Sequence, residues 1–215
     1  LKRMRLEIDV LTLSATPIPR TLHMALTGIR DMSAIDDPPE GRRPVQTFVT
    51  QWDEGVVREA IVHEIDRGGQ VYAVHNRVQS IEDFADQLRV IVPDARIVIG
   101  HGQMPEQVLK SVMERFSNGD FDVLVCTTII ESGIDIPNVN TMIIDQSNRL
   151  GLGQLYQLRG RVGRSLQQAY AYLLHPRDRV LTEVEQERLS TIFEATEPGS
   201  GYQVAMRDLE IRGAG

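Results

Sequence analysis

From residue 45 onward, short apolar runs alternate with longer segments whose apolar positions return with helical spacing. Residues 45–50 read as a strand. Val56, Val57, Ala60, Ile61 and Ile65 mark one face of a helix, stopped by Gly68 and Gly69. Residues 70–75 form the next strand. Ile81, Phe84, Leu88 and Val92 stripe a second helix, and Ser80 followed by Asp83 resembles a capping box. Residues 96–99 predict a short strand. Pro105 suits the first turn of a third helix carrying Val108, Leu109, Val112, Met113 and Phe116, closed by Asn118 and Gly119. Further strands are expected at 122–126, 141–145 and 169–174, with a helix around 154–162 between the last two.

Strands alternating with helices indicate an α/β fold built on a parallel sheet. Apolar runs such as Val123, Leu124, Val125 and Met142, Ile143, Ile144 suit strands covered on both faces. Two flanking regions differ. Residues 9–14 read as a buried strand running into a turn at Ala15, Thr16 and Pro17, then a short helix from Pro19. Residues 36–44 are charged and rich in breakers, the signature of a linker. Beyond Thr182 a charged helix reaches about Ala195, followed by a Pro/Gly break and a polar amphipathic tail. This last part is expected to lie outside the sheet domain.

The formal net charge of −7 argues against a free-standing nucleic-acid binder, which normally carries a basic surplus. A nucleic-acid role would need a local patch or a larger protein around this piece. The chain starts with Leu and stops at Gly213, Ala214 and Gly215, and reads as an excised fragment. No apolar run is long enough for a membrane span, and Glu7 and Asp9 fall where a signal peptide would need apolar residues. The single cysteine, Cys126, rules out an internal disulfide. It sits in a strand pattern as a buried thiol, a usage that fits a reducing cytoplasm. The five histidines show no paired metal spacing, and no metal site is expected.

The densest chemistry lies in Gln157, Arg159, Gly160, Arg161, Gly163 and Arg164. Three arginines this close are either a solvated basic turn or forked donors aimed at one anion, such as a phosphate chain. Other polar residues follow predicted strands: Asn76 and Arg77, then His101 and Gly102, then Thr127, Thr128 and Glu131. In open α/β sheets ligands sit beyond the carboxyl ends of the strands. All of these groups, the arginine run included, are expected on that one edge.

In this order the segments resemble the motifs of the superfamily 2 helicases and translocases. Ser14, Ala15 and Thr16 look like motif III, residues 71–78 like motif IV, residues 127–137 like motif V and residues 157–164 like motif VI. Within that superfamily the chain most resembles the transcription-repair coupling factor family, with the RecG branch-migration translocases next. The resemblance rests on residues 13–22 and on residues 199–213, which look like the translocation (TRG) motif shared by both.

The resemblance implies a RecA-like second lobe with helices on both faces and a helical C-terminal appendage. Residues 1–32 would be the tail of a first lobe, 33–44 a linker, 45–178 the second lobe and 179–215 a helical hairpin with the TRG motif. ATP with Mg²⁺ would bind between the lobes. Gly133, Asp135, Arg161 and Arg164 would border the nucleotide, with Arg161 and Arg164 as arginine fingers positioned by Gln157. Ser14, Ala15 and Thr16 would couple the lobes; a simple turn role is the alternative. Asn76, Arg77, His101, Gly102, Thr127, Thr128 and Glu131 would follow double-stranded DNA, and ordinary loop and cap chemistry is the alternative. Arg207, Asp208, Glu210 and Arg212 would transmit motion, or else form a surface amphipathic tail. The partners implied are the first lobe in cis, double-stranded DNA, and RNA polymerase and excision-repair proteins through other domains.

The sequence has no G-x-x-x-x-G-K-[ST] loop and no acidic box before Ser14, the elements that cradle phosphates and hold Mg²⁺. The isolated piece is therefore expected neither to hydrolyse ATP appreciably nor to bind DNA tightly. The other readings are a RecG-type motor lobe, or a noncatalytic interaction module, against which the intact Arg161, Arg164 and Asp135 speak.

Overall fold

The structure, a computed structural model, describes Ser33 and residues 43–128, 136–197 and 199–212. The expected strand and helix in residues 1–32, and Ser14, Ala15, Thr16, Glu131, Gly133 and Asp135, lie outside the described residues. So does the side chain of Arg212.

Six strands form one all-parallel sheet: β1 (Gln46–Gln51), β2 (Gln70–Val74), β3 (Ile97–Gly100), β4 (Val123–Cys126), β5 (Val139–Ile144) and β6 (Tyr170–His175). Their order across the sheet is β1-β6-β5-β2-β4-β3. The connections carry α1 (Glu54–Asp66), α2 (Ile81–Ile91), α3 (Glu106–Ser117) and α4 (Leu152–Arg159), and α5 (Glu183–Glu194) and α6 (Gly201–Arg212) close the described chain.

Alternation along the strands builds two cores. Val71 and Ala73 of β2 face α1 and α2, joining Val57, Ile61, Phe84 and Leu88. Tyr72 and Val74 face the other way, joining Phe116 of α3 and Leu152, Leu155 and Leu158 of α4. Every residue of β2, β4 and β5 is buried, as parallel strands covered on both faces must be. Edge strand β1 is more open, with only Thr47 buried.

The helical appendage packs against the sheet domain. Leu189 and Ile192 of α5 and Val204 of α6 belong to the same core as α4. Burying such side chains contributes about 1.5–3 kcal/mol each. The charged composition of this segment concealed those three positions. Helix α5 begins on a capping box: the Thr182 hydroxyl accepts from the Glu185 N–H, and the Glu185 carboxylate accepts from the Thr182 N–H at 2.9 Å. The expected box at Ser80 does not form. Its hydroxyl lies 2.8 Å from His75 Nε2, and α2 has no side-chain cap.

Candidate functional site

Beyond the carboxyl ends of β2 and β5, His75 organises a polar cluster. Its Nδ1 lies 2.7 Å from Asp145 Oδ2 and its Nε2 lies 2.8 Å from Ser80 Oγ. A carboxylate only accepts, so Nδ1 carries the proton and donates; in the neutral ring Nε2 then accepts from the Ser80 hydroxyl. The ring stacks on Phe84 with centroids 5.0 Å apart and is almost fully buried. The relay ties the end of β2 to the end of β5 and to the start of α2. Gln146 Nε2 also donates to Asp145 Oδ2, at 3.1 Å.

Next to this relay opens a cleft of about 140 Å³ lined by His75, Asn76, Arg77, Gln146 and Arg149. Asn76, Arg77 and Arg149 are exposed. Gln146 is the only described non-glycine residue with positive φ, at 48°. Side chains rarely adopt that conformation, which costs on the order of 1–3 kcal/mol and tends to mark functional sites. The structure therefore places Asn76 and Arg77 as the sequence predicted, and adds Gln146 and Arg149. Both follow β5 at the same edge, the position a parallel sheet reserves for ligands, but fall outside the sequence motifs.

Of the other residues expected here, His101 and Gly102 follow β3, and Thr127 and Thr128 follow β4. His101 is half-buried. Its carbonyl accepts from the Met104 N–H at 3.0 Å, and its buried Nδ1 has no hydrogen-bond partner among the described residues. Thr127 and Thr128 are half-buried.

The arginine run lies elsewhere, which corrects the single-edge expectation. Strands β5 and β6 are parallel, so the chain must return to the amino edge before β6 starts. Helix α4 makes that return and ends at Arg159, leaving residues 160–165 at the amino edge. Two contacts place them: Ser165 Oγ donates to Asn140 Oδ1 at the start of β5, at 2.7 Å, and Gly163 packs against Ala169 and Val45. Gly163 has φ +74°, and a Cβ there would come within 3.1 Å of the Ala169 Cβ. Only glycine suits this turn.

One of the three arginines is committed to the interior. Arg159 is buried; its Nη1 donates to the Ile192 carbonyl at 2.9 Å, and its guanidinium lies 5.2 Å from the Tyr156 ring centre. It fastens α4 to the end of α5. Arg161 is half-buried and Arg164 exposed, while Gln157 is half-buried on α4. Ile136 is buried just ahead of β5 at the same amino edge. Pro44 and Val45 lead into β1 at that same edge.

In the C-terminal helices Arg207 pairs with Glu187 of α5 and Glu210 of α6, both at 2.7 Å. Asp208 is buried. Among the described residues no group of three or more His, Cys, Asp or Glu could hold a metal. No described helix is long and apolar enough to cross a membrane.

A six-stranded parallel sheet with helices on both faces, a polar carboxyl edge and a glycine-pinned arginine turn at the opposite edge defines a RecA-like helicase lobe. The profile of the helicase conserved C-terminal domain matches residues 55–165, and the chain belongs to that family.

Its similarity to known proteins is more particular. It is 58% identical over its whole length to the transcription-repair-coupling factor of Bacillus subtilis (strain 168) and 56% identical to that of Staphylococcus haemolyticus (strain JCSC1435). The chain spans 18% of the length of each. A structure of RecG bound to a three-way DNA junction matches 97% of this chain and 28% of its own, at 39% identity and a TM-score of 0.79.

Proposed function

We propose that this chain is the second motor lobe of an ATP-dependent double-stranded DNA translocase that displaces stalled RNA polymerase and couples transcription to excision repair. The observation that carries this reading is the division of chemistry between two edges. The carboxyl edge offers exposed polar and basic groups around a cleft, suited to a phosphate backbone. The amino edge offers Arg161 and Arg164 on a rigid turn, close to where the linker would bring a first lobe. The similarity to the transcription-repair-coupling factors supports this reading of the whole protein.

In it, the first lobe supplies the phosphate loop and the ligands for Mg²⁺. The amino-edge donors are cationic, so they fit the nucleotide's phosphates and not the metal. Gly133 and Asp135 border the nucleotide, Gln157 positions the arginines, and Ser14, Ala15 and Thr16 link the lobes. Asn76, Arg77, His101, Gly102, Thr127, Thr128 and Glu131 follow the DNA. Arg207, Asp208, Glu210 and Arg212 pass the motion to the helical hairpin. Such a protein works in the cytoplasm, and this lobe alone hydrolyses no ATP. The RecG-type reading draws on the 0.79 TM-score, but 58% identity exceeds 39% over nearly the same residues.

The test is Arg164→Ala in the full-length protein. A finger arginine is worth about 10³–10⁵ in rate, or about 4–7 kcal/mol. DNA-stimulated ATP hydrolysis should vanish while duplex binding persists. Unchanged turnover would remove Arg164 from the mechanism and with it the nucleotide role of the amino edge.

A further inference from the structure

We infer that Arg149 and Gln146 complete, with Arg77, a two-armed clamp for a single nucleic-acid backbone phosphate in the cleft between the ends of β2 and β5. The inference rests on the DNA-translocase reading and adds two residues that the sequence motifs did not mark.

The cleft has the chemistry of an oxyanion site. Arg77 and Arg149 are exposed, line the same concavity and come from loops after different strands. Neither guanidinium has a hydrogen bond to another described residue, so both forks remain available for phosphate oxygens. Asp145, which adjoins the cleft through His75 and Gln146, is already answered by two donors, His75 Nδ1 at 2.7 Å and Gln146 Nε2 at 3.1 Å.

The supports are rigid. The His75 relay locks the end of β2 to the end of β5. Gln146 takes a left-handed backbone conformation with φ 48° and ψ 43°. Its carbonyl accepts from the Arg149 N–H at 3.0 Å, closing the short turn that carries Arg149. A conformation unfavourable for a side chain is kept where the turn must aim a group.

Size selects the ligand. Sites for drug-sized molecules run to about 300–1,000 Å³, so 140 Å³ suits a phosphate group and not a whole nucleotide. A phosphodiester of duplex DNA and the phosphate of free ATP share this chemistry, and the assay separates them.

The experiment uses the full-length protein and a mixed-sequence 40-base-pair duplex, with affinity measured across a salt series. Losing one phosphate contact lowers the slope of log K against log salt by about 0.9. Arg149→Ala should show that drop and weaken binding about tenfold. Arg149→Lys should keep the slope and lose only part of the affinity. With Arg77→Ala the effects should be less than additive, because both arms hold one phosphate.

An unchanged slope and affinity in Arg149→Ala would overturn the inference. So would additive losses, or lost ATP affinity with intact duplex binding, which would assign the cleft to the nucleotide. Failure of the translocase reading itself would look different: the unaltered protein would show neither duplex binding nor DNA-stimulated ATP hydrolysis.

Discussion

Arg159 and Arg164 lie five positions apart, yet the structure predicts opposite consequences for their removal. Consider Arg159→Met, which keeps length and apolar bulk but deletes the guanidinium. The side chain loses its 2.9 Å bond to the Ile192 carbonyl and its contact with the Tyr156 ring. A hydrogen bond from a charged donor contributes about 1.5–3 kcal/mol, and a cation over a ring about 0.5–2 kcal/mol. Relief of the burial penalty on the charge offsets part of this. The net loss should be about 2–3 kcal/mol, a thirty- to hundredfold shift in the folding equilibrium at about 1.4 kcal/mol per tenfold. Arg164→Met removes an exposed group, where an ion pair is worth about 0–1 kcal/mol. Urea unfolding of the two variants, followed by far-ultraviolet circular dichroism, makes the comparison. An Arg159→Met variant as stable as the unaltered protein, or an Arg164→Met variant less stable than Arg159→Met, would refute the structural role of the buried guanidinium.

Three more outcomes follow from particular contacts. Gly163→Ala forces a side chain into φ +74° and a Cβ to within 3.1 Å of the Ala169 Cβ; thermal unfolding should show a loss of about 1–3 kcal/mol. Burial raises the Glu185 carboxyl, but the Thr182 N–H, the Asn148 amide, the Thr182 hydroxyl and the Arg179 charge outweigh it and hold the group at about 2 against an ordinary 4.5. Its contribution is therefore complete above pH 4.5 and disappears as the pH falls towards 2, so the stability gap between the unaltered protein and Glu185→Gln should close across that window in acid titrations. The Cys126 thiol is wholly buried and burial pushes its pKa up; it should resist thiol reagents until urea unfolds the chain.

Much of the fold was legible because periodicity is a local property. A strand buried on both faces must be apolar throughout, and Val123–Cys126 announced itself that way. Helix stripes such as Ile81, Phe84 and Leu88 did the same for α2. Even the carboxyl-edge residues Asn76 and Arg77 could be placed, since each strand in a parallel sheet points the same way. The misplacements arose where a residue's partner is distant in sequence. Ser80 looked like a cap, but a histidine from the end of β2 claimed its hydroxyl. The charged and polar hairpin gave no local sign of where it packs, yet Leu189, Ile192 and Val204 reach the core beside α4.

Local pattern was enough for the alternation of strands and helices, the family of the lobe and the residue types available for phosphate chemistry. Which of them can act together depends on the folded chain. Strand order and the obligatory return of α4 separated the arginine turn from the cleft by the height of the sheet. Long-range packing withdrew Arg159 into the core and brought Arg149 alongside Arg77. Residue identity and spacing are written along one dimension, whereas proximity across a sheet depends on crossover connections and on which side chains compete for the interior.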